Sequence, residues 1–369
     1  MGKQNSRNIC VITRPKNSRD YNRPIEKFSS VLAPTANKQY LFSSSSVDSE
    51  KLSEKTKRIY IDEYWYTGLN WIDYWLVQIY ILIEVWSIRK SIDIVYLHKG
   101  ASSLVLPIIL LRILQIKTVV IWLSDYSINK RSQNLIPNMI KTAAEWTGLC
   151  IANGVVTLSD STADTIPNRN IYTSMSNYID SSKFSYIKSL HNRKYDVGFV
   201  GRLSDVKRPR LFFDSAESIA TNDPQINVVI AGDGPLYDTL QIRANRMSQV
   251  NMKGWVRYRE LPNLYNNIKL LVITSQSEGL PTVLLEAMSC GVVVLANDVG
   301  SISDAINTEE NGFIIDSDSP IEISREIYSC LNHPDLNKIS KNARETVKKK
   351  YSKQAATERF DQITTDVLG

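Results

Sequence analysis

From residue 196 onward, short apolar runs alternate with longer amphipathic ones at a regular spacing. DVGFV (196–200), INVVIA (226–231), LLVIT (270–274), VVVLA (292–296) and GFIID (312–316) read as strands. Residues 209–221, 235–248 and 281–290 between them carry helical patterning. Strands whose residues are apolar throughout, rather than at every second position, are covered on both faces. Alternating with helices of 10–15 residues, they predict a parallel sheet inside an α/β layer. The first half repeats the rhythm less cleanly, with strands at 9–13, 39–43, 94–98, 118–123 and 154–158 and helices near 24–33, 71–90, 102–115 and 132–149. The polar, aperiodic stretch 43–58 (SSSSVDSEKLSEKTKR) predicts a surface loop. The pattern breaks again at 180–194, so two Rossmann-like α/β domains are expected, 1–190 and 191–351, with their parallel sheets facing across a cleft.

Two stretches are apolar enough to raise the question of a membrane span. Asp73 and Glu84 interrupt 71–88, and Pro107, Arg112, Gln115 and Lys117 interrupt 104–123. A span needs about 20 predominantly apolar residues, so buried helices and strands are the better reading. The aromatic residues Tyr60, Tyr64, Trp65, Tyr66, Trp71, Tyr74 and Trp75 keep a helix lying on a membrane surface as an alternative.

Composition narrows the picture. With 369 residues, 43% hydrophobic and 22% charged, the chain suits two globular domains and excludes a disordered or fibrous one. Cysteines 10, 150, 290 and 330 are isolated, with no CxxC and no nearby His pair, which argues against a disulfide framework or zinc site and for a reducing compartment. Three of them sit in or beside apolar segments and are expected to be buried thiols. The opening MGKQNSRNICVIT lacks the apolar core of a signal peptide, although Gly2 and Ser6 fit the minimal myristoylation pattern.

Ligands of open parallel sheets bind beyond the carboxyl ends of the strands. In the second half, the segments leaving successive strand ends supply Gly201, Arg202 and Lys207, then GDGP with Gly232 and Gly234, then Glu278, Gly279 and Pro281, then NDVGS. One rim thus receives glycine turns, two cations and a carboxylate. Pro281 suits a first helical turn and Gly291 a C-terminal cap, so a helix N-terminus at 280–282 would offer N–H groups to an anion. Thr282, Glu286 and Ser289 share one face of that helix. Arg202 and Lys207 could neutralise a diphosphate, the arginine in bidentate fashion. GDGP lacks the third glycine of a dinucleotide fingerprint, since Tyr237 stands there, and no phosphate loop of the GxxxxGKS type occurs. DSD (316–318) reads as a turn, and no metal is expected.

Together, VGFVGRLSDVKRP, AGDGP, LVITSQSEGLPTVLLEAMSCGVVVLAND and NGFII resemble the C-terminal domain of retaining group 1 (family 4) nucleotide-sugar glycosyltransferases. The E-x7-E signature is Glu278 to Glu286, and the resemblance runs from about 196 to 350. It implies the GT-B architecture, with the last helix, about 352–369, packing back on the first domain. Upstream, Ser159, Asn177, Asp180 and Phe184 match segments that precede the family's interdomain linker. The resemblance implies that Arg202 and Lys207 hold the donor diphosphate and stabilise it as leaving group. Glu278 would sit near the donor sugar, with Gly279, Leu280, Pro281 and Thr282 contacting sugar and phosphate through their backbone. Glu286 would bond the ribose, Gly201, Gly232 and Gly234 would border the donor, and KGWVR (253–257) would flank the base.

Two features depart from the family. RPKNSRDYNRP replaces a Gly-Gly loop after the first strand, and WLSDYS carries no His where relatives place one, leaving Asp125 as the nearest substitute and His98 as a polar strand end.

The expected activity is therefore transfer of a sugar from a nucleotide-diphosphate sugar to a glycan or lipid-linked acceptor, without metal or cofactor, as in polysaccharide or glycolipid biosynthesis. A GT-B-type nucleotide-sugar epimerase and a non-catalytic nucleotide-sugar binder are the alternatives. The net charge of +6 is uneven, with 23 basic and 15 acidic residues in 1–190 but 21 and 23 in 191–369. No nucleic-acid module accompanies the surplus. It falls on the acceptor domain, with Arg14, Lys16, Arg19, Arg23 and Lys27 close together, and predicts an anionic acceptor or membrane face. The expected location is cytoplasmic, peripheral on the membrane in the second case.

Overall fold

In a computed structural model of the protein, the apolar runs of both halves are parallel strands. The structure describes residues 7–13, 19–43, 47, 52–61, 70–98, 104–122, 135–157, 166, 170–173 and 178–369. The chain divides into two units, Met1–Ser176 with Ala356–Gly369, and Asn177–Ala355.

The first unit has strands β1 (Arg7–Thr13), β2 (Ala36–Ser43), β3 (Thr56–Tyr60), β4 (Ile94–His98), β5 (Lys117–Ile121), β6 (Gly154–Thr157) and β7 (Ile171–Thr173). Its helices are α1 (Arg19–Leu32), α2 (Asn70–Ile88), α3 (Val105–Ile113) and α4 (Leu135–Ile151). Among the described residues the sheet runs β3-β2-β1-β4-β5-β6-β7, parallel throughout. Side chains alternate between its faces. Val95 and Leu97 of β4 face a core shared with Val77, Ile81 and Val85 of α2 and Ile108 and Leu111 of α3. Tyr96 lies between them in sequence and packs instead against Phe28 of α1.

The second unit has strands β8 (Tyr195–Val200), β9 (Val228–Ala231), β10 (Val250–Gly254), β11 (Ile268–Ile273), β12 (Val293–Asn297) and β13 (Phe313–Ile315). Its helices are α5 (Pro209–Asn222), α6 (Tyr237–Ala244), α7 (Leu261–Tyr265), α8 (Thr282–Ser289), α9 (Ile302–Ala305), α10 (Pro320–Leu331) and α11 (Leu336–Lys350). The sheet order is β10-β9-β8-β11-β12-β13, again all parallel. In each sheet the strand order reverses beside the first strand, between β1 and β4 and between β8 and β11. That reversal is the switch point at which loops part to opposite sides and leave a crevice.

The structure corrects two expectations. Residues 56–58, expected at the end of a surface loop, form β3 together with Ile59 and Tyr60. Only Ile59 of this strand is buried, because an edge strand pairs on one side and faces solvent, so TKRIY carries little apolar signal. Residues 178–190, expected in the first domain, pack as part of the second unit. Asn266 holds them, its Oδ1 accepting from the Ile187 and Lys188 N–H groups and its Nδ2 donating to the Ser185 carbonyl. Arg193 holds them too: Nε and Nη2 donate to Lys188 O, Nη1 to Ile268 O and Nη2 to Cys290 O. Cys10, Cys290 and Cys330 are buried free thiols, whereas Cys150 is exposed.

The last helix, α12 (Lys353–Leu368), belongs to the first unit from Ala356 onward. Phe360 is 1% exposed and meets Phe28 and Tyr96 edge-on, at ring-centroid distances of 5.1 and 6.0 Å. Tyr96 Oη and Thr364 Oγ1 lie 2.7 Å apart, and burial raises the phenol's pKa well above its ordinary value, so it remains protonated. Arg7 Nη1 reaches Asp361 Oδ1 at 3.1 Å. The C-terminal helix thus completes the core on the face of the first sheet opposite α2 and α3. Replacing Phe360 by Ala removes a buried aromatic from this junction and is expected to cost about 3–5 kcal/mol. Urea unfolding followed by Trp fluorescence and circular dichroism would measure it.

Candidate active site

Four strands of the second sheet end on one rim, and the glycines there let their loops approach. Gly232 follows β9 with φ +147°, and a Cβ on it would lie 1.8 Å from the Gly201 carbonyl oxygen. Gly234, with φ +154°, would place a Cβ 2.5 Å from Leu203 O. Backbone bonds from Leu203 N to Asp233 O and from Leu236 N to Leu203 O close the contact. The loop after β8 is therefore laid against GDGP at a spacing only glycine allows. Arg202, on that loop, is exposed, and no ion pair holds it among the described residues.

The loop after β8 is also tied to the loop after β11. Thr274, fully buried, donates its hydroxyl to the carbonyls of Lys207 and Arg208, and Gln276 N donates to Val206 O at 2.8 Å. Arg208 takes a left-handed conformation, φ +47°, and Pro209 opens α5 behind it. Asp318 of the DSD turn pairs with Arg208 at 2.6 Å. These bonds bring Lys207 onto Glu278: the ammonium donates to Oε1 of a carboxylate whose side chain is only 9% exposed. Desolvation of both groups makes this charge pair matter more than one on an open surface.

Glu278 and Gly279 are supported from below by Gly300, in the loop after β12. Its φ is +63°, and a Cβ there would come within 2.1 Å of Glu278 O and 2.6 Å of Gly279 O. Ser301 N donates to Gly279 O. The next turn leads into α8, whose N-cap is Pro281 (φ −68°, ψ 130°) and which has no side-chain cap and no acidic residue in its first turn. Its first N–H groups face the rim with nothing on the helix to neutralise them. Leu280 and Pro281 are buried, while Gly279 and Thr282 are exposed.

Glu286 lies one turn into α8 and is 5% exposed. Its Oε2 accepts from Tyr265 Oη at 2.9 Å. Tyr265 is wholly buried, with Phe184 beside its ring at 6.1 Å. Burial first, and the Glu286 carboxylate second, push the phenol's pKa well above its ordinary value, so it stays a donor. The other end of α8 is held by Arg193, whose guanidinium, 4% exposed and with its pKa lowered to about 10 by burial, donates to the C-cap carbonyl of Cys290. A cation at a helix C-terminus opposes the carbonyl dipoles there.

The structure thus gathers Gly201, Gly232, Gly234, Lys207, Glu278 and Gly279 on one rim, with Arg202 exposed beside them. It buries Glu286 against Tyr265. Trp255, in the expected base-flanking segment, is 76% exposed, and its neighbour Gly254 accepts from Gly232 N. Asp125, Ser159, Asn177, Arg14 and Lys16 lie outside the described residues, as do the side chains of Arg19 and Arg23. His98 is buried and stacks on Phe28 at 4.7 Å. Sequence reasoning missed Thr274, Gly300, Arg193 and Tyr265. Only Gly300 had a visible signal, the NDVGS turn after a strand.

Residues 182–346 match the family model for glycosyl transferases group 1. An uncharacterized glycosyltransferase of Methanocaldococcus jannaschii is 28% identical over 159 residues, 42% of this chain and 44% of that one. The Escherichia coli UDP-Gal:alpha-D-GlcNAc-diphosphoundecaprenol alpha-1,3-galactosyltransferase is 28% identical over 169 residues, 44% of this chain and 43% of its own. The matched stretch therefore spans less than half the length of these curated relatives. The crystal structure of Anabaena HepE in complex with UDP superposes with a TM-score of 0.73 at 15% identity, covering 98% of this chain and all of that one. At that identity the likeness shows the fold, the GT-B fold of two Rossmann-like units.

Two substitutions test the site's framework. Gly300→Ala forces either a strained backbone or movement of Glu278 and Gly279, and is expected to lower stability by about 1–3 kcal/mol. Tyr265→Phe removes a hydrogen bond to a buried carboxylate and is expected to cost about 1.5–3 kcal/mol. Denaturant melts of the purified variants would check both.

Proposed function

We propose, on the match of residues 182–346 to the group 1 glycosyl transferase model, that the protein moves a sugar from a nucleoside diphosphate sugar to a hydroxyl of a glycan or lipid-linked acceptor. We further read the transfer as retaining and independent of metal. The observation that carries this reading is the meeting of Lys207 and Glu278 at the β8/β11 switch point, with Arg202 exposed on the same rim.

The chemistry is governed by charge. As the bond from the anomeric carbon to the diphosphate breaks, negative charge grows on the departing phosphate. Fixed donors stabilise that charge most when they need no rearrangement. Lys207 is fixed by its own backbone, through Thr274, and by Glu278 at its ammonium. Arg202 supplies a planar fork able to grip two phosphate oxygens. The first N–H groups of α8 add a third source of positive potential. With these three in place the leaving group is neutralised by the protein, which supports a reaction without a divalent ion. Glu278 orients the Lys207 ammonium and offers acceptor oxygens to the donor sugar's hydroxyls. Glu286, positioned by Tyr265, takes the ribose.

The name of the E. coli relative, a UDP-Gal-dependent enzyme acting on a diphosphoundecaprenol-linked sugar, supports a uridine donor and a lipid-linked acceptor. UDP bound to HepE supports the same base. Purified protein given UDP-sugars and a polyprenyl-diphosphate-linked sugar is expected to release UDP in proportion to glycosylated acceptor, undiminished by EDTA. Glu278→Gln should lower kcat at least a hundredfold while the circular dichroism of the folded protein is unchanged. Full activity in that variant would remove Glu278 from the reaction. Appearance of an epimerised donor with no acceptor present would replace transfer by isomerisation.

A further inference from the structure

Helix α2 is apolar on two opposite sides, one buried in the core and the other exposed. Val77, Ile81 and Val85 are buried in the core of the first unit. Trp75, Ile79, Ile83 and Trp86 are 43%, 48%, 61% and 51% exposed. At about 100° per residue those four fall within an arc of about 80° on the side turned away from the core. The one carboxylate in the later turns of α2, Glu84, is half-buried and lies about 140° round the helix from the centre of that arc. The neighbouring α3, which packs against α2, adds Ile109 and Ile113, 40% and 72% exposed. A helix layer that presents two tryptophans and four isoleucines to solvent, without a charge among the exposed positions of the α2 arc, departs from the polar outer face of an ordinary surface helix.

Cations gather at one margin of this face. Arg89 lies with its guanidinium 4.1 Å over the Trp86 ring, Lys90 follows it exposed, and Arg112 is exposed beside Ile113 at the end of α3. The residues 1–190 that carry the face hold 23 basic against 15 acidic side chains. Aliphatic side chains, tryptophan and arginine in that order match the gradient from acyl chains through interface to phosphate headgroups. No helix among the described residues is long and apolar enough to cross a membrane, so the face would lie on the bilayer.

We propose that the outward face of α2 and α3 docks on an anionic lipid bilayer, with Trp75, Ile79, Ile83 and Trp86 at the acyl boundary and Arg89, Lys90 and Arg112 on lipid phosphates. The proposal concerns the first unit alone and holds whether or not the donor chemistry above is right.

Co-sedimentation of the full chain with phosphatidylcholine vesicles, with and without phosphatidylglycerol, tests it. The wild type should pellet with the anionic vesicles, and high salt should weaken binding without abolishing it, because the apolar contribution is not screened. Ile79→Gln with Ile83→Gln should lower the partition coefficient at least tenfold. Arg89→Gln and Arg112→Gln should each lower it about fivefold on anionic vesicles only. All four positions are at least partly exposed, so the variants should keep the wild-type circular dichroism, melting curve and UDP binding. Ile83→Gln alone serves if the pair fails to fold. Wild-type protein left in the supernatant with anionic vesicles would overturn the proposal, as would binding indifferent to the isoleucine substitutions. A dimer in sedimentation velocity that the same substitutions dissociate, without vesicle binding, would assign the face to a second copy instead.

Discussion

The parallel pairing of β8 with β11 is the constraint on which the second unit's chemistry depends. Because the strands run the same way, their carboxyl ends finish side by side, and Leu270 stands opposite Val197. Because they are separated in sequence by two strands laid on the other side of β8, the loops leaving them turn to opposite sides of the sheet. Thr274 then stitches the two loop bases together from a fully buried position. An ammonium and a carboxylate 71 residues apart in the chain end in contact without either loop having to be stiff in itself.

A second arrangement keeps α8 in place from behind. Arg193 spends its donors on the carbonyls of Lys188, Ile268 and Cys290, joining the segment before β8, the start of β11 and the end of α8 at one buried guanidinium. A buried charge is costly unless its hydrogen bonds are met, and the helix C-terminus helps by presenting carbonyl dipoles. The same helix is gripped along its length by Tyr265 at Glu286 and by Phe184, whose carbonyl accepts from Ser289 Oγ. The body and C-terminal end of α8 are thus held by the protein, behind the N-terminus that meets the rim.

The first unit solves a different problem. Its sheet is closed on one face by α2 and α3 and on the other by α1 together with the last helix of the chain, so a segment from the far end of the sequence completes its core. Phe360 and Thr364 converge on Tyr96, a polar aromatic that would otherwise be a poor choice for a strand buried on both faces. With both faces of the sheet covered, the outer side of α2 lies outside the core of this unit.

Much of this was legible in the amino-acid order because it is local. Continuous apolar strands, their alternation with helices, the glycines of GDGP and the E-x7-E spacing each depend on near neighbours, and the positions of Lys207, Glu278 and Glu286 could be read from them. The edge strand β3 was not legible, since half of it faces water and its pattern mimics a loop. Nor was the role of 178–194, whose polar side chains read as a linker until Asn266 and Arg193 supplied partners some 70 to 100 residues away. The sequence by itself determined the alternation of strands and helices and which residues the strand ends carry. Only the tertiary structure decided which of those charges meet, which phenol orients Glu286, and which side of an apolar helix stays exposed, because each depends on contacts between segments that composition and spacing do not relate.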